Sequence, residues 1–185
     1  TAVTHYGGGI CLLHQGSRLD VSGNGTQMVV QGNTAGHHGG GVYATDASSL
    51  LVSSGARLEV INNTAVTFKG GGMYLQDQGT RLDVSGNGTQ MVVQGNTAGQ
   101  QGGGVCAVFA LSLLVTSGAR LDVINNTAIL FGGGMYLQTQ GTSLVVSGNG
   151  TQMVVQGNTA EQHGGGVFAA DASSLLVSSG ARLDV

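Results

Sequence analysis

The chain predicts an all-β fold, a parallel β-helix of about six coils, each of about 31 residues and three short strands. Three observations predict it. The phrase VSGNGTQMVVQGNTA stands letter for letter at Val21–Ala35, Val84–Ala98 and Val146–Ala160. A glycine triplet recurs at Gly7–Gly9, Gly39–Gly41, Gly70–Gly72, Gly102–Gly104, Gly132–Gly134 and Gly164–Gly166, so successive triplets start 32, 31, 32, 30 and 32 residues apart. Between triplets, short apolar runs are separated by Gly, Asn, Ser and Asp, which leaves no room for helices.

The elements follow from two alternating coil types. One reads GGGMYLQDQGTRLDVSGNGTQMVVQGNTA (Gly70–Ala98), with apolar runs at Met73–Leu75, Leu82–Val84 and Met91–Val93. The other reads GGGVYATDASSLLVSSGARLEVINNTA (Gly39–Ala65), with runs at Val42–Ala44, Leu50–Val52 and Leu58–Ile61. In RLDV, Leu82 and Val84 share one face while Arg81 and Asp83 share the other, and that period of two means strand. Like residues at like positions stack as rungs about 4.7–4.9 Å apart. Six coils then span roughly 30 Å at that spacing. Coils of this kind draw stability from their nearest neighbours. A β-sandwich or propeller is the alternative, but a propeller blade needs four strands in about 40–45 residues.

Composition agrees. The chain has 35 glycines, no proline and 8% charged residues, against about 25% charged in average proteins. Glycine at every third position is missing, which excludes collagen, and 41% apolar residues is too many for a disordered linker. The net charge is −3, with Lys69 the single lysine among five scattered arginines, so no clustered cations exist for nucleic acid. No run of about 18 apolar residues offers a membrane span, and no signal peptide opens the chain.

Two recurring motifs carry a resemblance. A glycine triplet plus an aliphatic residue appears as GGGI (Gly7–Ile10), GGGV (Gly39–Val42, Gly102–Val105, Gly164–Val167) and GGGM (Gly70–Met73, Gly132–Met135). A strand ending in Asn appears as VQGN (Val30–Asn33, Val93–Asn96, Val155–Asn158) and VINN (Val60–Asn63, Val123–Asn126). Together they resemble the GGA-(Ile/Leu/Val) and Phe-x-x-Asn repeats of the polymorphic outer membrane protein family, along the whole chain. Here Gly replaces Ala and Val replaces Phe. The resemblance implies a right-handed β-helix at a cell surface.

The candidate residues form columns. Asn33, Asn63, Asn96, Asn126 and Asn158 read as a structural ladder, each amide bonding to its neighbours at a bend. The glycines read as φ > 0 and close-packing positions; no helix or Lys-Ser/Thr follows to make a phosphate loop. Two residues after the triplets' third glycine comes the column Cys11, Tyr43, Tyr74, Cys106, Tyr136, Phe168. Its Tyr43, Tyr74, Tyr136 and Phe168 read either as an outward binding stripe for glycans or proteins, or as a packing ladder under a neighbouring loop. Cys11 and Cys106 lie three coils apart, about 14 Å at the rung spacing, beyond the roughly 7 Å a disulfide allows.

Arg18/Asp20, Arg57/Glu59, Arg81/Asp83 and Arg120/Asp122 read as ion pairs on one strand face, each worth little. A pectin-lyase-like enzyme would need acids clustered around calcium, whereas these are evenly spaced. His37, His38 and His163 precede triplets where an equivalent coil carries Gln100 and Gln101, so no metal site is assigned. No cofactor and no catalytic residue is assigned either. Sequons occur as NGT at Asn24, Asn87 and Asn149, and as NNT at Asn62 and Asn125, the latter at a strand end where burial would hide them. They read as N-glycosylation acceptors in a secreted eukaryotic protein, or as turn residues whose Thr completes a sequon. Thr34, Thr64, Thr97, Thr127 and Thr159 form one row, whereas ice binding calls for two.

Residues 1–185 thus read as one segment of a longer array, stopping mid-repeat at Val185. The expected role is an extracellular or cell-surface stalk, adhesin or fibre subunit without catalysis. The expected partners are further copies, end-to-end self-association, surface glycans and host or cell-surface proteins. A glycan- or protein-binding module is the alternative; ice binding and polysaccharide cleavage rank below it.

Overall fold

A computed structural model describes residues 5–109, 112–171 and 173–185. All of its regular structure is β, with parallel strands stacked in register as a solenoid of about six turns. The first sheet holds Ile10–Leu12, Val42–Ala44, Met73–Gln76, Val105–Val108, Met135–Gln138 and Val167–Ala169. The second holds Arg18–Ser22, Ser49–Ser53, Arg81–Ser85, Ser112–Thr116, Ser143–Ser147 and Ser174–Ser178. The third holds Gln27–Gln31, Arg57–Ile61, Gln90–Gln94, Arg120–Ile124, Gln152–Gln156 and Arg182–Asp184. Among the described residues no helix is long and apolar enough to cross a membrane.

Where three strands per coil are expected, the structure adds a fourth. Thr34–Ala35, Thr64–Ala65, Thr97–Ala98, Thr127–Ala128 and Thr159–Ala160 pair in parallel as a narrow fourth sheet. Two residues are too few to show alternation. They pair because the Asn bend holds neighbouring coils in step, with the amide of Thr64 donating to the carbonyl of Asn33 at 2.9 Å.

Alternation decides what lies inside. Leu82 and Val84 of the second sheet and Met91 and Val93 of the third are buried. They join Met73 and Leu75 of the first sheet in one continuous apolar column along the axis. Register keeps like on like: Leu50 meets Leu82, which meets Leu113, and Met91 lies between Leu58 and Leu121.

Each glycine triplet stands where backbones crowd. Gly39 has φ 66° and Gly70 φ 70°, a region costly for any residue with a Cβ. A Cβ on Gly40 would strike the carbonyl of Gly71 and the backbone of Thr64, and one on Gly41 would lie 2.7 Å from the carbonyl oxygen of Gly72. The first glycine supplies the φ, the other two the clearance.

Candidate functional site

The asparagine column is a closed hydrogen-bond ladder. The Nδ2 groups of Asn33, Asn63, Asn96 and Asn126 donate to Oδ1 of the next asparagine at 2.9–3.0 Å, ending on Asn158. Each of those Oδ1 atoms also accepts the preceding asparagine's backbone N–H at 2.9 Å. The second Nδ2 hydrogen goes back one coil: Asn63 to the carbonyl of Val30, Asn96 to Val60, Asn126 to Val93, Asn158 to Val123. Asn63, Asn96 and Asn126 are fully buried, so their amides face protein and leave no atom for a ligand.

The aromatic column leaves the core, as alternation requires, and of its two readings the packing ladder under a neighbouring loop is the one observed, since the stripe is covered. Tyr43, Tyr74 and Tyr136 are only 8%, 5% and 5% exposed, Cys106 is fully buried, and Phe168 is partly buried against them. The cover comes from the turns entering each triplet. Tyr6, His38 and Phe68 stack over the first part of the column, with ring centroids of Tyr6–Tyr43 at 4.9 Å, His38–Tyr74 at 4.4 Å and His38–Phe68 at 5.1 Å. Phe131 and His163 stack at 5.6 Å over the last part, with Phe131 5.1 Å from Phe168. Between them Cys106 breaks the tyrosine run, and Lys69 extends its ammonium to 5.6 Å from the Tyr136 ring. Rows of unlike residues, Tyr, His, Phe and Lys, thus do one job, the turn-side signal that column reading alone passes over.

Burial sets the chemistry of this layer. It raises the phenols of Tyr43, Tyr74 and Tyr136 above their ordinary range. It pushes the Cys106 thiol up to about 12, an inert group. Cys11 is exposed, and both cysteines are free. Burial, then the charges of Lys69 and His37, hold the His38 imidazole down to about 4. His38 and His163 are held in ring stacks and His37 packs edge-on to Phe68, and among the described residues no group of three or more metal-binding side chains forms.

Asn24, Asn87 and Asn149 sit exposed at turn tips between two positive-φ glycines, such as Gly86 at 96° and Gly88 at 75°. The sequon threonines of the second and third of these turns brace them. Thr89 Oγ1 donates to the carbonyl of Ser85 and accepts from Gly55 N–H, both at 2.9 Å. Thr151 does the same with Ser147 and Gly118. Asn62 and Asn125, at the strand ends where burial would hide them, are exposed. Their φ of 53° and 54° turns the side chain outward, in a left-handed column otherwise filled by Gly32, Gly95 and Gly157.

The outer faces are self-paired. Arg–acid contacts run at 2.5–2.8 Å in five coils, with Arg182–Asp184 joining the four expected pairs. On the third sheet they are linked across coils, because Arg57 donates to Gln90, Gln90 to Asp122 at 3.0 Å, and Arg120 to Gln152 at 2.9 Å. A half-open groove of about 300 Å³ on the second sheet, between Arg18 and Arg81 over Ser49 and Leu51, is lined by arginines already bound to their own acids. The threonine row lies in register on the fourth sheet. No family model, curated protein or solved structure matches the chain.

Proposed function

We propose that the protein is an extracellular, non-catalytic repeat solenoid with a mechanical role, as a cell-surface stalk, adhesin or fibre subunit. One observation carries this reading. Every coil offers the next the same apolar column and the same asparagine amide, so length can grow without any new kind of contact. The acids support it too, since Asp20, Glu59, Asp83, Asp122 and Asp184 are each bound to the arginine two residues before them. The resemblance to the polymorphic outer membrane repeats points to the same location. Further copies of the repeat, stacked end to end, are the first partners; surface glycans and host or cell-surface proteins are the second. Five exposed sequons, at Asn24, Asn62, Asn87, Asn125 and Asn149, give such a protein glycan acceptors. At Asn87 and Asn149 the glycan would be added before the coil closes over the sequon threonine.

Antibodies raised against the chain test the location. They are expected to label intact cells of the source organism; labelling only after permeabilisation overturns the surface reading. Intact-mass measurement on native material tests glycosylation, because a mass equal to the bare 18.4 kDa polypeptide removes it.

A further inference from the structure

The groove on the second sheet is lined by arginines already paired, but the aromatic cover contains a neutral histidine at its centre. His38 lies stacked against Tyr6 on one side, with centroids 5.6 Å apart and 9° between planes, and against Phe68 and Tyr74 on the other. Its Nδ1 accepts the backbone N–H of Lys69 at 3.3 Å, so the lone pair of the neutral ring ties one turn to the next. Its own carbonyl accepts from Gly7 N–H at 3.0 Å. The residue therefore bridges three successive turns at the point where they lie over Tyr43 and Tyr74.

We propose that the turn carrying His38 is an acid-released latch over the tyrosine ladder. With the ring neutral, the turn is pinned over Tyr43 and Tyr74. With the ring protonated, Nδ1 becomes a donor facing the Lys69 N–H donor, and the pin becomes a repulsion.

The charged and titratable groups facing the ring favour release. Lys69 and His37 are the charges that bear on it, and both oppose a further positive charge. The phenols of Tyr43 and Tyr74, raised by burial, supply no negative charge at acid pH. The nearby carboxylate, Asp77, is bound by Thr45 Oγ1 at 2.5 Å and Gln76 Nε2 at 3.2 Å. Ring faces do attract an imidazolium, but the lost hydrogen bond and the two neighbouring cations act against that return. The sign follows from the depressed imidazole. In the open turn it has its ordinary value near 6.5, and in the closed turn about 4. The open state therefore binds more protons between those values, and closure weakens steadily as pH falls from 6.5 toward 4. The solenoid interior does not contain His38, so the coils stay stacked while the cover lifts.

The chain is suited to the test. It has no tryptophan, and its four tyrosines, Tyr6, Tyr43, Tyr74 and Tyr136, all belong to this layer. Acrylamide quenching of tyrosine emission is expected to rise about twofold or more on acidification, with a midpoint inside that window and unchanged far-ultraviolet circular dichroism. His38→Phe keeps a stacking ring without the proton site and should abolish the transition, whereas His163→Phe should leave it. Quenching that stays flat until the β signal collapses overturns the proposal, as does an unaltered transition in His38→Phe. Should His38→Phe fail to fold, imidazole NMR of the native chain decides: a depressed titration supports the latch, and an ordinary one overturns it.

Discussion

At the residue scale, two asparagines of one sequence pair, Asn62 and Asn63, have opposite physics. Asn63 is buried with both amide hydrogens donated and its oxygen accepting from the coil before, and Asn96 and Asn126 repeat the arrangement. Asn96→Ala removes an acceptor for the Asn63 amide and backbone N–H and strips donors from Val60 and Asn126. Each orphaned buried group costs about 1–3 kcal/mol, so a loss of about 3 kcal/mol or more is expected in urea unfolding. Asn62 instead has an exposed side chain at φ 53°, and its backbone N–H, which any residue would keep, donates to the carbonyl of Gln94 at 2.9 Å. Asn62→Gly should lie within about 0.5 kcal/mol of the parent, because glycine occupies the same column at Gly32, Gly95 and Gly157. Asn62→Ala should cost about 1 kcal/mol, the left-handed penalty for an ordinary side chain. If Asn62→Gly proved as damaging as Asn96→Ala, the exposed column would need a second role.

At the element scale, the alternation of coil types spaces charge along the third sheet. Gln90 stands in register between Arg57 and Arg120 and hydrogen-bonds to both sides of the gap, to Arg57 and to Asp122. Gln90→Arg would set three guanidiniums on adjacent rungs. It should lower stability by about 0.5–1 kcal/mol, with the loss shrinking as salt is added. A loss indifferent to salt would mean that packing, not charge, requires glutamine there. The same scale shows what could be read in advance. The three main strands, the asparagine column and the glycine positions were legible because each is written within one repeat and recurs in the next. The Thr-Ala strand was not, because two residues cannot display a period. The cover over Tyr43 and Tyr74 was legible only as one of two readings of the column, because the residues that form it share no type: Tyr6, His38, Phe131 and His163 stand just before their triplets, Phe68 one position earlier, and only their rings link them. The exposure of Asn62 and Asn125 did have a signal, the glycine at the equivalent site of the alternate coil.

For the whole molecule, the unit of growth is the pair of coils, since only a pair returns both the apolar register and the charge spacing. Gly70–Phe131 is such a unit of 62 residues, running from one GGGM to the residue before the next. Repeating it after Phe131 recreates the Phe131–Gly132 junction, places Arg120 on a second Gln90 and extends the asparagine ladder without interruption. Nearest-neighbour stacking then predicts a constant increment of unfolding free energy per added pair, with a denaturant slope that grows in step with the surface buried. Small-angle scattering should show the rod lengthening by about 9.5 Å per pair, two rungs at the strand spacing. Adding one coil of the Arg57 type beside its own kind should give a smaller increment, because Arg then faces Arg and Glu faces Asp on adjacent rungs. Equal increments for single coils and pairs would show that the alternation is incidental. A separate unfolding transition for the added pair would show that the coils do not share one column. The predicted ordering follows from cross-strand charge and shared side-chain volume, which are the two things a coil passes to its neighbour.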